Sequence, residues 1–311
     1  VIGHDKAIAQ FRRAFESGKP HHAWLISGPT GIGKASLAYQ LAREILSDAP
    51  MTERAKAWLS ARSHPDLHIL ELAVSDPKSG KLKSEIAVDD ARAFADHYSR
   101  SAGQGGWRIG IVDSADQLNR AAANALLKLV EEPPDKALIF LVNHASGRLL
   151  PTLRSRCVRL AVEPLPAAAV EGIIKGLPLE DRPTDQEFAQ AAVLSGGSPG
   201  RAVQLLKSAG AKAFLAFASA RTLDAHTMHE VSGHFHNRAT LNSDYLMFMD
   251  LLQAWTAEKA VAAAPSRAGL SMATLSSELS RGRAETEGYN LDRRVAVLEA
   301  LAALQNALME A

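Results

Sequence analysis

The chain has 311 residues, 47% of them hydrophobic and 22% charged, with a formal net charge of +1. That length suits two or three domains of the usual ~100–200 residues, and the near-zero charge excludes an overall basic field, so any nucleic-acid contact has to be local. No run of about 18 apolar residues and no signal-like start is present, so membrane and secreted classes drop out; Cys157, the single cysteine, excludes an internal disulfide and a multi-cysteine zinc site and suits a reducing cytoplasm.

Val1-Ile2-Gly3-His4-Asp5 leads into a predicted helix whose apolar face is Ile8, Phe11 and Phe15, closed by Gly18 and Pro20. The apolar run Ala23-Trp24-Leu25-Ile26 then meets Gly28-Pro29-Thr30-Gly31-Ile32-Gly33-Lys34-Ala35-Ser36, and a helical pattern follows with Leu37, Leu41 and Ile45 at spacing four. A strand, a glycine-rich turn and a helix are the setting a phosphate-cradling loop requires. Glycines let successive N–H groups converge on phosphate oxygens, and the helix N-terminus adds partial positive charge. Lys34 is spaced to reach the outer phosphates. The pattern breaks at Ala35, where a Ser or Thr would ligate Mg²⁺. Ser36 comes one position late, about 100° round the helix. The loop reads as a nucleotide site with damaged metal chemistry.

Residues 47–65 are polar and irregular around a short helix, and Leu67–Leu72 reads as a strand. Ser75–Glu85, with Pro77, Gly80, Lys78, Lys81 and Lys83, is an exposed loop or hairpin. A helix is predicted over Asp89–Arg100. Arg108–Asp113 is a short apolar run ending in a carboxylate, as a buried parallel strand next to a phosphate site would. The next residue is Ser114, not an acid, so no general base stands beside Asp113; whether Asp116 points to the same place is left open. Asn119 caps a helix carrying Leu118, Ala122, Leu126 and Leu129 on one side and stopped by Pro133-Pro134. Ala137–Val142 is another buried strand leading to Asn143, which suits orienting a water or a γ-phosphate and equally suits a turn. A last short strand is Val158–Leu160. Strands alternating with helices predict a doubly wound parallel α/β domain over residues 1–162.

Beyond that the pattern is helical only. Thr184-Asp185-Gln186-Glu187 is a capping box, and Ser198-Pro199-Gly200-Arg201 opens a further helix with Pro199 at its first position. A small helical domain is placed at 163–208 and an all-α segment at 209–311. In the latter Val297, Leu301, Leu304 and Leu308 form one apolar stripe, either internal core or a subunit interface. His226, His229, His234 and His236 cluster without convincing ligand spacing; His21 and His22 suit packing or a turn. Arg148, Arg154, Arg156 and Arg159 crowd one surface loop, where arginines are usually solvated but can serve a neighbour's nucleotide.

Val1-Ile2-Gly3-His4, His22-Ala23-Trp24-Leu25-Ile26-Ser27-Gly28 and Gly33-Lys34, together with Asn124–Pro134 ending in Glu131-Glu132-Pro133-Pro134 and Leu153-Arg154-Ser155-Arg156-Cys157, resemble the AAA+ subunits of bacterial clamp loaders. The resemblance covers residues 1 to about 208 well, and the tail only in being helical. It implies an AAA+ P-loop fold, a helical lid and an all-α collar that joins subunits in a ring. By position, Gly28, Pro29, Thr30, Gly31, Ile32, Gly33, Lys34, Ala35 and Ser36 match the Walker A loop and Asp113 the Walker B aspartate. Asn143 matches the sensor 1 place and Arg201 the sensor 2 arginine, and Val1 and Ile2 join the nucleotide-binding set. Arg156 matches an arginine finger acting in trans. The implied cofactor is ATP or ADP, with Mg²⁺ if bound. The implied partners are motor and delta-type subunits, the sliding clamp and primer–template DNA. Motor subunits carry Asp-Glu and Ser/Thr where this chain has Asp113-Ser114 and Ala35, so a non-motor member with little or no ATPase of its own is implied. A motor subunit or a stand-alone P-loop kinase are the alternatives. Many relatives hold zinc with four cysteines after the P-loop helix; residues 47–65 contain none, so no zinc is expected.

Overall fold

Continuous apolar runs without alternation become strands buried on both faces: β1 (Ala23–Ser27), β5 (Arg108–Val112) and β6 (Ala137–Asn143) are buried at every residue. With β2 (Leu67–Leu70) and β7 (Val158–Ala161) they form a five-stranded sheet in the order β2-β5-β6-β1-β7, every pairing parallel. A computed structural model of the chain describes residues 2–18, 20–47, 57–58, 61–76, 81–99, 106–144, 149–179, 182–220, 222–237 and 239–309. β2 ends at Leu70, two residues before the predicted Leu72. The expected hairpin forms from β3 (Val74–Asp76) and β4 (Lys81–Leu82), which pair antiparallel. Its tip lies outside the described residues.

Side chains along the strands alternate between two cores. Trp24, Ile26, Ile109, Ile111, Phe140 and Val142 pack with α1 (Asp5–Glu16) and α2 (Lys34–Leu46). On the other face Leu25, Val112, Ile139 and Leu141 pack with α3 (Val88–Tyr98) and α4 (Arg120–Glu131). Gly110 lets α3 close on the sheet, since a Cβ there would lie 2.9 Å from Phe94. The predicted cap is in place: Asn119 Oδ1 accepts the Ala122 N–H at 2.9 Å. The short α5 (Pro151–Arg154) precedes β7, and α6 (Ala167–Lys175) follows it.

The chain packs as two compact units, Val1–Gly176 with Gly196–Arg201, and Leu177–Ser195 with Ala202–Ala311. The second is helical among its described residues: α7 (Asp185–Leu194), most of α8 (Pro199–Lys207), α9 (Ala209–Ser219), α10 (Ala225–Gly233), α11 (Leu241–Ala262), α12 (Arg267–Gly288) and α13 (Arg293–Met309). Thr184 and Glu187 form the capping box at the start of α7. In α13, Val297, Leu301 and Leu304 are internal core, whereas Leu308 is 46% exposed.

One polar junction fixes the start of α9. The buried Asp244 of α11 accepts through Oδ1 from the Ser208 hydroxyl at 2.9 Å, the Ala209 N–H at 2.9 Å and the Gly210 N–H at 3.4 Å. An acidic side chain from another helix thus satisfies N–H groups that the first turn of α9 leaves orphaned. Gly210 permits the approach, because a Cβ there would stand 1.9 Å from the Asp244 carbonyl oxygen.

Candidate functional site

In an open parallel sheet the ligand crevice lies beyond the carboxyl ends of the strands, where the chain places the loop after β1, Asp113 after β5 and Asn143 at the end of β6. β1 runs into the loop Gly28–Gly33 and then α2. Gly31 has φ +74° and Gly33 φ +100°, a left-handed conformation that glycine adopts without strain. Gly28 is needed for a different reason: a Cβ would lie 2.4 Å from the Val162 carbonyl oxygen. Lys34 is only 2% exposed, and its Nζ donates to the carbonyls of Gly28 at 2.8 Å and Pro29 at 2.6 Å. Two of three ammonium donors are therefore held by the loop itself, which aims the charge. Burial pushes the Lys34 pKa down to about 8 against the opposing pull of Asp116 and then Asp113.

Two segments brace the loop from behind. His4, at φ 64°, has Nε2 2.9 Å from the carbonyl oxygen of the buried Ile32. The Ser198 hydroxyl donates to the Thr30 carbonyl at 2.9 Å, and the Gly200 N–H donates to the Gly31 carbonyl at 2.8 Å. The start of α8 packs closely on the loop at Gly200, whose Cβ would lie 2.9 Å from the Gly31 Cα, and at the Arg201 backbone, whose nitrogen would lie 3.2 Å from a Cβ on Gly31. Arg201 follows one position on, its N–H donating to Ser198 Oγ at 3.2 Å. Ile2 is 59% exposed, and Val1 lies outside the described residues. Ala35 is half-buried and Ser36 exposed.

Asp113 follows β5, its N–H donating to the Leu70 carbonyl at 2.8 Å, and its Oδ1 lies 3.6 Å from His144 Nε2. Ser114 takes a left-handed φ of 63°. Asp116 is buried, its Oδ1 accepts the His144 N–H at 2.8 Å, and it lies with Asp113 among the charges that act on Lys34. Asn143 is paired with Ser27 across β6 and β1 and is 4% exposed. Asn143 Oδ1 and His144 Nδ1 are buried without a hydrogen-bond partner. The glycine cradle and the aimed ammonium fit the phosphates of a nucleotide. The metal ligands do not fit, because Ala35 has no oxygen and Asp113 already faces an imidazole.

The arginine loop sorts itself by contact. Arg159 Nε donates to Ser27 Oγ at 3.0 Å, so it braces the strand feeding the phosphate loop. Arg148 lies outside the described residues. Arg156 is exposed, its Nη2 2.8 Å from Glu131 Oε1 and its Nη1 donating to the Thr152 carbonyl at 3.0 Å. The guanidinium is therefore held at the surface by the end of α4, the Glu131-Glu132-Pro133-Pro134 segment. Cys157 beside it donates its S–H to the Leu153 carbonyl, and burial pushes its thiol up to about 12, so it is an inert packing residue. His22 Nε2 lies 2.6 Å from the Val130 carbonyl oxygen, and His21 stacks on it. Among the described residues no group of three or more His, Cys, Asp or Glu side chains is placed to hold a metal ion, and no helix is long and apolar enough to cross a membrane.

A five-stranded parallel sheet with a phosphate loop after its first strand, a strand-end aspartate and asparagine, and a helix start closed on the loop define a P-loop protein of the AAA+ class. The model of the family described as DNA polymerase III, delta subunit, matches residues 3–166, and the chain belongs to that family. It is 38% identical over 186 residues to the DNA polymerase III subunit delta' of Pseudomonas aeruginosa, covering 57% of this chain and 53% of that protein. The Escherichia coli subunit delta' is 34% identical over 200 residues, 62% of this chain and 57% of that protein. The subunit gamma/tau of Mycobacterium tuberculosis is 28% identical over 207 residues, covering 64% of this chain and 34% of that protein. The chain spans a little over half the length of the delta' relatives it matches.

Proposed function

We propose that this chain is a non-motor, delta-prime-type subunit of a bacterial DNA polymerase III clamp loader. It would work in the cytoplasm beside motor and delta-type subunits, helping an ATP-dependent assembly place a sliding clamp on primer–template DNA. The observation that carries this reading is an asymmetry between two places in one unit. The chain's own nucleotide site lacks a hydroxyl at Ala35 and an acid at Ser114, whereas Arg156 stands intact at the surface.

A guanidinium presents paired, coplanar N–H groups that match phosphate oxygens. Set against a neighbour's γ-phosphate, Arg156 would stabilise the charge that spreads over those oxygens in the transition state. Leaving Glu131 costs little, because both side chains are more than 40% exposed and such surface pairs are worth about 0–1 kcal/mol. The division into a core at 1–162, a lid at 163–208 and a collar at 209–311 belongs to the same proposal. Its test is assembly: the full chain mixed with motor and delta-type subunits should co-elute with them on size exclusion. Elution of the chain alone under those conditions would defeat the reading.

A further inference from the structure

The two halves of the nucleotide site disagree. Mg²⁺ takes oxygen ligands at about 2.0–2.1 Å in near-octahedral geometry, and a P-loop supplies a hydroxyl while the strand-end aspartate supplies a carboxylate. Here a methyl group stands at Ala35 and Ser36 is exposed. His144 Nε2 lies 3.6 Å from Asp113 Oδ1, so an imidazole stands on the side of that carboxylate where a cation would approach. Asp116 is engaged as well, accepting the His144 N–H at 2.8 Å. The phosphate half is whole: Gly31 and Gly33 hold the left-handed turn, and Lys34 keeps one donor beyond the two spent on Gly28 and Pro29.

We propose that the loop Gly28–Lys34 binds the phosphates of a nucleoside di- or triphosphate without a divalent cation, with His144, not a metal ion, facing Asp113. This rests on reading the loop as a phosphate cradle and is independent of the role given to Arg156. Lys34 and the N-terminus of α2 supply the positive charge, so affinity is modest and insensitive to chelators.

Fluorescent ADP titrated into the full chain, once with excess Mg²⁺ and once with excess EDTA, should give dissociation constants within about twofold of each other. Lys34→Ala should abolish both. Ala35→Ser combined with His144→Ala restores a hydroxyl and clears the carboxylate, so Mg²⁺ should then tighten binding about tenfold. An unaltered chain that binds about tenfold more tightly with Mg²⁺, or shows no saturable binding in either condition, overturns the proposal; the second outcome leaves Arg156 untouched. The unaltered chain decides the matter even where the double variant does not fold. A folded double variant without a Mg²⁺ effect removes His144 from the account.

Discussion

Arg156→Ala is expected to leave assembly of the loader intact and to slow ATP hydrolysis at the one neighbouring site it serves by about 10³-fold or more, the range found for arginine fingers supplied in trans. Assembly should survive because Arg156 is exposed and, among the described residues, is held by Glu131 and the Thr152 carbonyl; surface changes of this kind usually cost within about 0.5 kcal/mol. Under the proposed role only the adjoining site loses its guanidinium, so total turnover should fall by that site's share. Arg156→Lys keeps the charge but loses the planar fork, so it should recover only part of the rate. The measurement is single-turnover hydrolysis by the reconstituted complex. A rate unchanged in Arg156→Ala would remove the arginine from the mechanism.

Asp244→Ala should cost the helical unit about 2–3 kcal/mol. It strands the Ser208 hydroxyl and the Ala209 and Gly210 N–H groups together, in a buried place where water does not replace the lost acceptor. Asp244→Asn keeps an acceptor and loses the charge, so it should cost less. Gly210→Ala attacks the same junction from the other side, since its Cβ would overlap the backbone oxygen of Asp244 and α9 would have to move off α11. Urea unfolding of the full chain reads all three as shifts in midpoint. A loss under about 0.5 kcal/mol for Asp244→Ala would mean that α9 is capped by other means.

Much of the first unit is legible in the sequence, for a physical reason. Strands buried on both faces have to be continuous apolar runs, so Ala23–Ile26, Arg108–Val112 and Ala137–Val142 announce themselves. The caps at Asn119, Thr184 and Ser198 are local chemistry and are read as easily. What fails to show is chemistry that depends on the order of the strands. His4 reaches Ile32 and His144 reaches Asp116 across 28 residues each, and no local pattern marks either. The His144 contact with Asp113 exists only because β6 lies beside β5. The Gly200 N–H bond to the Gly31 carbonyl joins segments far apart in the chain, and no motif match announces it. The Asp244 junction is hidden for a similar reason, joining residues more than 30 apart in a segment whose only signal is helical periodicity.

The claim that the chain serves another subunit's nucleotide and does not turn over its own is tested most directly by ATP hydrolysis of the purified full chain, alone and in excess Mg²⁺. The account predicts no turnover above the buffer rate, because neither Ala35 nor Ser114 can do what a metal ligand and a general base must do. Turnover at the rate of the isolated motor subunits would contradict it.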